Sequence, residues 1–175
     1  MRLFFLLVII LSIIFGGCSS PTLMDAIEKN GSKNVEILFQ DNTDNVLLFL
    51  NKEYTGQPML ILNTFVKENS RYKYDSGTGE YSQGIDLSNE YEIINVTSVG
   101  NSSISALWGG VFNYPNANTV SYSLKDEDGK VIYNSSVKIT GTNIVYEKLP
   151  LDIYEQTHSL HYKILDDKDN VIVEK

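Results

Sequence analysis

The chain has one cysteine, Cys18, and it closes the most apolar stretch of the sequence. A single thiol cannot form a disulfide within the chain, so everything downstream must be held by packing and hydrogen bonds. The stretch reads MRLFFLLVIILSIIFGGC: one cation at Arg2, a run from Leu3 to Phe15 broken only by Ser12, then Gly16 and Gly17. A bilayer-spanning helix needs roughly 20 apolar residues, and this run is shorter. Its proportions are those of a secretion signal, with a charged start, a short apolar centre and small side chains where a peptidase cuts.

Gly16-Gly17-Cys18 resembles the last three positions of a bacterial lipobox, with Phe15 standing where Leu, Val or Ile is usual. The resemblance implies a signal peptide over 1–17, diacylglycerol on the Cys18 sulfur, and cleavage just before Cys18. Residues 18–22 then become a lipid anchor and a short polar tether. The expected location is the cell membrane, on the side facing away from the cytoplasm. Each buried CH₂ contributes about 0.8 kcal/mol, so a two-chain anchor is effectively permanent.

The full chain carries 14 basic and 22 acidic residues. Losing Arg2 leaves 13 basic against 22 acidic, a net charge of −9. That balance argues against nucleic acid, whose binding depends on neutralising phosphates. It argues equally against electrostatic adhesion to anionic lipid.

The rest reads as α+β, mostly β: a short helix plus antiparallel meander over 22–85, then a sandwich-like antiparallel half over 86–175. Thr22 as cap, Asp25 in the first turn, Lys29 in the last and Gly31 beyond predict a helix over Leu23–Lys29. Apolar runs predict strands over Val35–Gln40, Val46–Asn51, Pro58–Val66 and Arg71–Tyr74. Tyr91–Thr97 and Ser103–Phe112 open the second half, and Gly109-Gly110 inside the latter predicts a bulge or a close backbone approach. Thr119–Leu124 alternates, placing Val120, Tyr122 and Leu124 on one face. Short segments at Val137–Ile139 and Ile144–Tyr146 follow. SYSLKDEDGKVIY echoes HYKILDDKDNVIV forty residues later, which predicts two hairpins built alike.

This order of elements resembles small exported or lipid-anchored proteins of bacilli: a short helix, a four-strand meander ending in an aromatic and Gly-rich turn, then a β segment. Tyr72, Tyr74 and Ser76-Gly77-Thr78-Gly79 occupy the turn feature, and Trp108-Gly109-Gly110-Val111 opens the last segment. The resemblance carries no chemistry with it.

No motif nominates a catalytic residue, a cofactor or a metal. His158 and His161 are three apart, which on a strand sends them to opposite faces. Ser76–Glu80 lacks the third glycine and the following helix of a phosphate cradle. Asp126–Lys130 and Asp166–Asn170 depart from EF-hand spacing and contain lysine. The surplus is aromatic, so the expected binding residues are Tyr72, Tyr74, Tyr81, Trp108 and Tyr114, brought together where the halves meet. Sheet packing of the same rings is the competing reading. The expected role is a non-catalytic module at the membrane surface, holding an envelope protein, peptide or glycan. The alternative is an envelope-polymer hydrolase drawing paired carboxylates from Glu80, Asp86, Glu90 and Glu92.

The lipid reading predicts that Cys18→Ala, or a block of lipoprotein signal peptidase, shifts the protein's mass and moves it out of the detergent phase. A Cys18→Ala protein that remains quantitatively membrane-bound would refute it.

Overall fold

The computed structural model describes residues 19–53, 56–101 and 103–175; the apolar leader and Cys18 lie outside them. Helix α1 spans Leu23–Lys29, and Thr22 caps it by accepting the Asp25 N–H at 3.1 Å. Its apolar stripe, Leu23, Ala26 and Ile27, is buried. Asn30 ends the helix and donates its side-chain amide to Tyr74 O at 2.6 Å, which fixes the exit direction.

Five strands follow: β1 (Val35–Asp41), β2 (Val46–Asn51), β3 (Met59–Glu68), β4 (Arg71–Tyr74) and β5 (Tyr81–Gly84). They form an antiparallel sheet ordered β1-β2-β3, with β4 and β5 sharing the far edge of β3. β4 pairs with the stretch Phe65–Glu68, and β5 with Met59–Leu62. Apolar runs and turn signals predicted four of these strands. β5, Tyr-Ser-Gln-Gly, carries a single apolar residue and takes its conformation from pairing with β3.

The second half contributes β6 (Tyr91–Val99), β7 (Ile104–Phe112), β8 (Thr119–Lys125), β9 (Val131–Lys138), β10 (Ile144–Leu149), helix α2 (Leu151–Gln156), β11 (Ser159–Leu165) and β12 (Val171–Glu174). They make a three-stranded sheet ordered β10-β7-β6 and a four-stranded sheet ordered β12-β11-β8-β9. The connectivity is that of an immunoglobulin-like sandwich whose fourth strand lies beside the third. Val137–Ile139, expected as a separate segment, is largely the end of the long edge strand β9. Tyr122 pairs directly with Tyr162 where β8 meets β11. The two echoing hairpins are therefore neighbours in one sheet.

Strand periodicity shows how the sheets stack. In β2, Leu47 and Phe49 pack with α1, while Val46, Leu48 and Leu50 face the other way. That second face meets Ile104, Trp108 and Phe112 of β7. The intervening β7 residues Leu107 and Val111 turn to the opposite side and pack on Val120, Tyr122 and Leu124 of β8. The order is helix, five-stranded sheet, three-stranded sheet, four-stranded sheet. The three-stranded sheet is covered on both faces, and every residue of β7 is buried. The halves drawn at 22–85 and 86–175 thus share a core, with Leu48 and Leu60 in one cluster with Trp108.

The glycine pair serves this crowding. A Cβ on Gly109 would lie 1.8 Å from Ile93 O, and one on Gly110 would lie 2.4 Å from the Phe112 ring. Register across both glycines is continuous, so the feature is a close backbone approach and not a bulge. Gly109→Ala is expected to cost more than about 3 kcal/mol, in the range reserved for severe steric mechanisms. Gly141→Ala, with no heavy atom within 4 Å of the added Cβ, should lie within about 0.5 kcal/mol of wild type. Urea unfolding of the two variants checks this, and equal midpoints would overturn the account.

Candidate functional site

The aromatic residues singled out in the sequence are dispersed through the stack. Trp108 is fully buried between the five- and three-stranded sheets, with the Tyr81 ring edge-on to it at 5.4 Å. Tyr74 lies on the helix side of the five-stranded sheet at 6% exposure, packed edge-to-face on Phe49. Tyr72 is half-buried on that side, against Phe65 and beneath the Lys67 ammonium. Tyr114 is far along the chain in the β7–β8 loop, half-buried. Only Tyr81 and Trp108 touch, and only Tyr81, at 38%, is exposed. The expected gathering of these rings where the halves meet is therefore corrected: Tyr72 and Tyr74 share the helix-side core, Trp108 fills the core between the first two sheets with Tyr81 exposed at its edge, and Tyr114 borders the sandwich core. β-Sheet positions buried on one face favour large amphipathic rings, and the stacking of sheets buries both faces here.

The tyrosine hydroxyls meet carboxylates. Tyr74 donates to Glu80, Tyr114 to Glu92 at 2.5 Å, and both Tyr122 and Tyr133 to Glu147 at 2.8 and 3.0 Å. Ser135 adds a further hydrogen bond to Glu147 at 3.0 Å. Burial and the Glu80 carboxylate push the Tyr74 phenol far above its usual range. The bond to Glu92 leads in pushing Tyr114 up to about 12. Burial holds the Glu80 carboxyl above the ordinary glutamate range, against the Tyr74 hydrogen bond. Asp86 instead accepts from Ser88 N and Asn89 Nδ2 in its own turn, both at 2.7 Å. The four carboxylates nominated for hydrolysis are thus parcelled out: Glu80 to a core tyrosine, Asp86 to its turn, Glu92 to Tyr114 and Lys175. Glu90 alone borders an open hollow without such a partner among the described residues.

The histidines also part company. His161 sits on β11 with Nε2 3.2 Å from Glu174. His158 precedes that strand and lines a shallow cleft of about 460 Å³ between α2 and the edge of β6. No group of three or more His, Cys, Asp or Glu suited to a metal occurs among the described residues.

The richest concave surface is one end of the sandwich. Three contiguous hollows, of about 460, 260 and 200 Å³, surround the loop Asn113–Asn118. Asn143, Asp166, Asp167, Glu90 and Ile172 complete their walls. Three connections converge there, β7–β8, β9–β10 and β11–β12, and backbone bonds lace them together. Asn118 N–H donates to Leu165 O, Ile139 N–H to Asn118 O and Val111 N–H to Asn143 O, each at 2.9 Å. Asn113, at φ 62°, spends its side-chain amide on Leu87 O and Asn89 O. In the β11–β12 turn, Asp166 accepts from Lys168 N and Asn170 N at 2.8 Å, and its carboxyl sits below the usual range through its bonds to Asn170. Pro115, Asn116 and Asp167 remain exposed on this ordered base. The sequence signal for the loop was present in N-Y-P-N-A-N, a turn-forming cluster. Its meeting with two other loops is a property of the sandwich topology.

Comparison with protein-family models, with curated proteins and with solved structures finds no match for this chain.

Glu92 supports this end from beneath. Its side chain is 7% exposed and pairs with the Lys175 ammonium. Burial opposes its charge, but the Lys175 and Tyr114 bonds outweigh that and hold its carboxyl below the ordinary range. A carboxyl depressed in the folded state adds stability above its unfolded pKa and loses it as pH falls through the folded value. Glu92→Gln is therefore expected to cost about 1–2 kcal/mol at neutral pH. The deficit should begin to shrink near the unfolded glutamate value, about pH 4, and vanish only as the pH falls on through the depressed folded value. Urea unfolding at neutral and acid pH checks it, and an undiminished deficit in acid would show that the charge on Glu92 is not the cause.

Proposed function

We propose that this chain is a lipid-anchored, extracytoplasmic binding module, non-catalytic, that engages its ligand with the loop end of the sandwich. The observation that carries this reading is the cluster of three hollows around Asn113–Asn118, set on loops braced by backbone hydrogen bonds. Loops on a rigid sandwich are the usual place for recognition, because the sheets fix the scaffold while loop residues stay free to contact ligand.

The chemistry of the rim favours a hydroxyl-rich ligand such as an envelope glycan. Exposed Asn116 offers a donor and an acceptor on one planar group, Asp167 offers acceptors, and the Tyr114 ring offers a flat apolar face. Adjacent sugar hydroxyls need that mixture. A polyanion would meet Glu90, Asp166 and Asp167 and be repelled.

The test is co-sedimentation of the protein with purified, insoluble envelope glycan. An Asn116→Ala/Asp167→Ala double variant should weaken binding roughly tenfold, as expected for losing two hydrogen bonds of about 0.5–1.5 kcal/mol each. Full binding by the double variant would remove this end from the site. Release of new reducing ends during the incubation would instead favour the hydrolase alternative.

A further inference from the structure

The short polar tether is clipped to the fold. Ser20 N–H donates to Tyr72 O at 2.7 Å and Tyr72 N–H donates to Ser20 O at 2.8 Å, adding a stub of antiparallel strand to the edge of β4. Arg71 closes the clip from the side. Its Nε donates to Ser19 Oγ at 2.8 Å and a terminal guanidinium nitrogen donates to Ser19 O at 2.7 Å. Cys18 is one peptide unit away, about 3.8 Å between Cα atoms. A lipid on its sulfur would therefore leave the chain close to the β3–β4 hairpin.

That hairpin has the composition of a membrane-contacting surface. Val66 is 48% exposed and shares its face with exposed Arg71 and with its cross-strand partner Lys73, while Lys67 is exposed on the opposite face, over the Tyr72 ring. The tip, Asn69-Ser70, has positive φ at both residues, as a tight hairpin turn needs. Glu68 is the hairpin's one carboxylate, and Lys73 engages it at 3.2 Å. The local balance is three cations to one anion in a mature chain of net charge −9. The whole-chain charge argued against adhesion to anionic lipid. The hairpin itself departs from that average beside Ser19 and Ser20, and α1, packed on β4, adds Asp25 and Glu28 against Lys29.

The geometry points to the β3–β4 hairpin as a docking surface for anionic phospholipid headgroups, with Val66 reaching the interface and Lys67, Arg71 and Lys73 meeting lipid phosphates. The inference rests on the lipoprotein reading above. The clipped tether makes the lipid and the hairpin a single two-part attachment that sets the orientation of the whole molecule. Cations next to an acyl anchor add attraction that falls off within a Debye length of the surface, so only groups held close to the anchor contribute.

The test uses the full-length lipidated protein in phosphatidylcholine vesicles with and without phosphatidylglycerol. Cys18 is consumed by lipid, so Val66→Cys presents the only free thiol for a nitroxide label, and Val131→Cys, 43% exposed on β9, serves as the control. With phosphatidylglycerol present, the label at position 66 should lose several-fold in collision rate with a water-soluble nickel relaxant, while the label at 131 keeps its rate. Amine acetylation of the unsubstituted protein provides a readout independent of the variants: Lys67 and Lys73 should be protected on anionic vesicles relative to detergent, with Lys130 and Lys168 unprotected. A vesicle-bound, lipidated protein with position 66 as water-accessible as 131, and with Lys67 and Lys73 unprotected, would overturn the docking surface alone. An intact mass without diacylglycerol on Cys18 would overturn it together with the lipoprotein reading.

Discussion

The three-stranded sheet at the centre of the stack is the constraint on which the rest depends. A sheet covered on one face can alternate apolar and polar residues, but a sheet covered on both cannot. β7 meets that demand with a nine-residue run in which no residue reaches solvent. Trp108 and Phe112 fill one interface and Leu107 and Val111 the other. The glycines at 109 and 110 then let the neighbouring backbone and the Phe112 ring into space that side chains would occupy. The helix-bearing sheet and the outer sandwich sheet both gain their cores from this shared layer. The two halves of the chain are therefore coupled energetically.

An acidic, tyrosine-rich chain without a disulfide must still satisfy the polar atoms that such layering buries. The repeated solution here is a phenol donating to a carboxylate, seen at Tyr74–Glu80, Tyr114–Glu92 and Tyr122/Tyr133–Glu147. A phenol supplies large apolar area and one donor, and a carboxylate accepts from several donors at once. Glu147 illustrates this by taking two phenols and the Ser135 hydroxyl into the edge of the sandwich core. Four of the eleven tyrosines, a surplus that on composition alone suggests a binding surface, are spent in this way.

The proposed attachment and recognition surfaces occupy different layers. Ser19 and Ser20 are held at the edge of the helix-bearing sheet, whereas the converging loops belong to the sandwich formed by the two sheets beyond it. Packed sheets lie about 10 Å apart, so the outermost sheet is set back from the helix-bearing sheet by roughly twice that distance. An orientation fixed at the anchor would be transmitted through a continuous stack of cores to the loop end.

Local rules made much of this legible. Thr22 and Asn30-Gly31 bracket α1 within a few residues of chain, and the alternation of Thr119–Leu124 assigns its buried face without reference to anything distant. The echo between the two acidic hairpins is equally local and corresponds to adjacent hairpins joined at Tyr122 and Tyr162. The fate of the aromatic rings was not legible, because a strand's period says which residues share a face and not what covers it. Trp108 is buried by Leu48 and Leu60, which belong to another sheet. β5 exists because β3 offers it an edge, and α2 because Pro150 and the turn back to β11 demand a compact connection. Tyr114 and Asn116 came to line one set of hollows only when three loops distant in sequence met at one end of a sandwich. Local propensity and periodicity determined the elements; the order in which sheets stack, set by long-range apolar contact, decided which residues face solvent and where Ser19, Ser20 and the open loops lie.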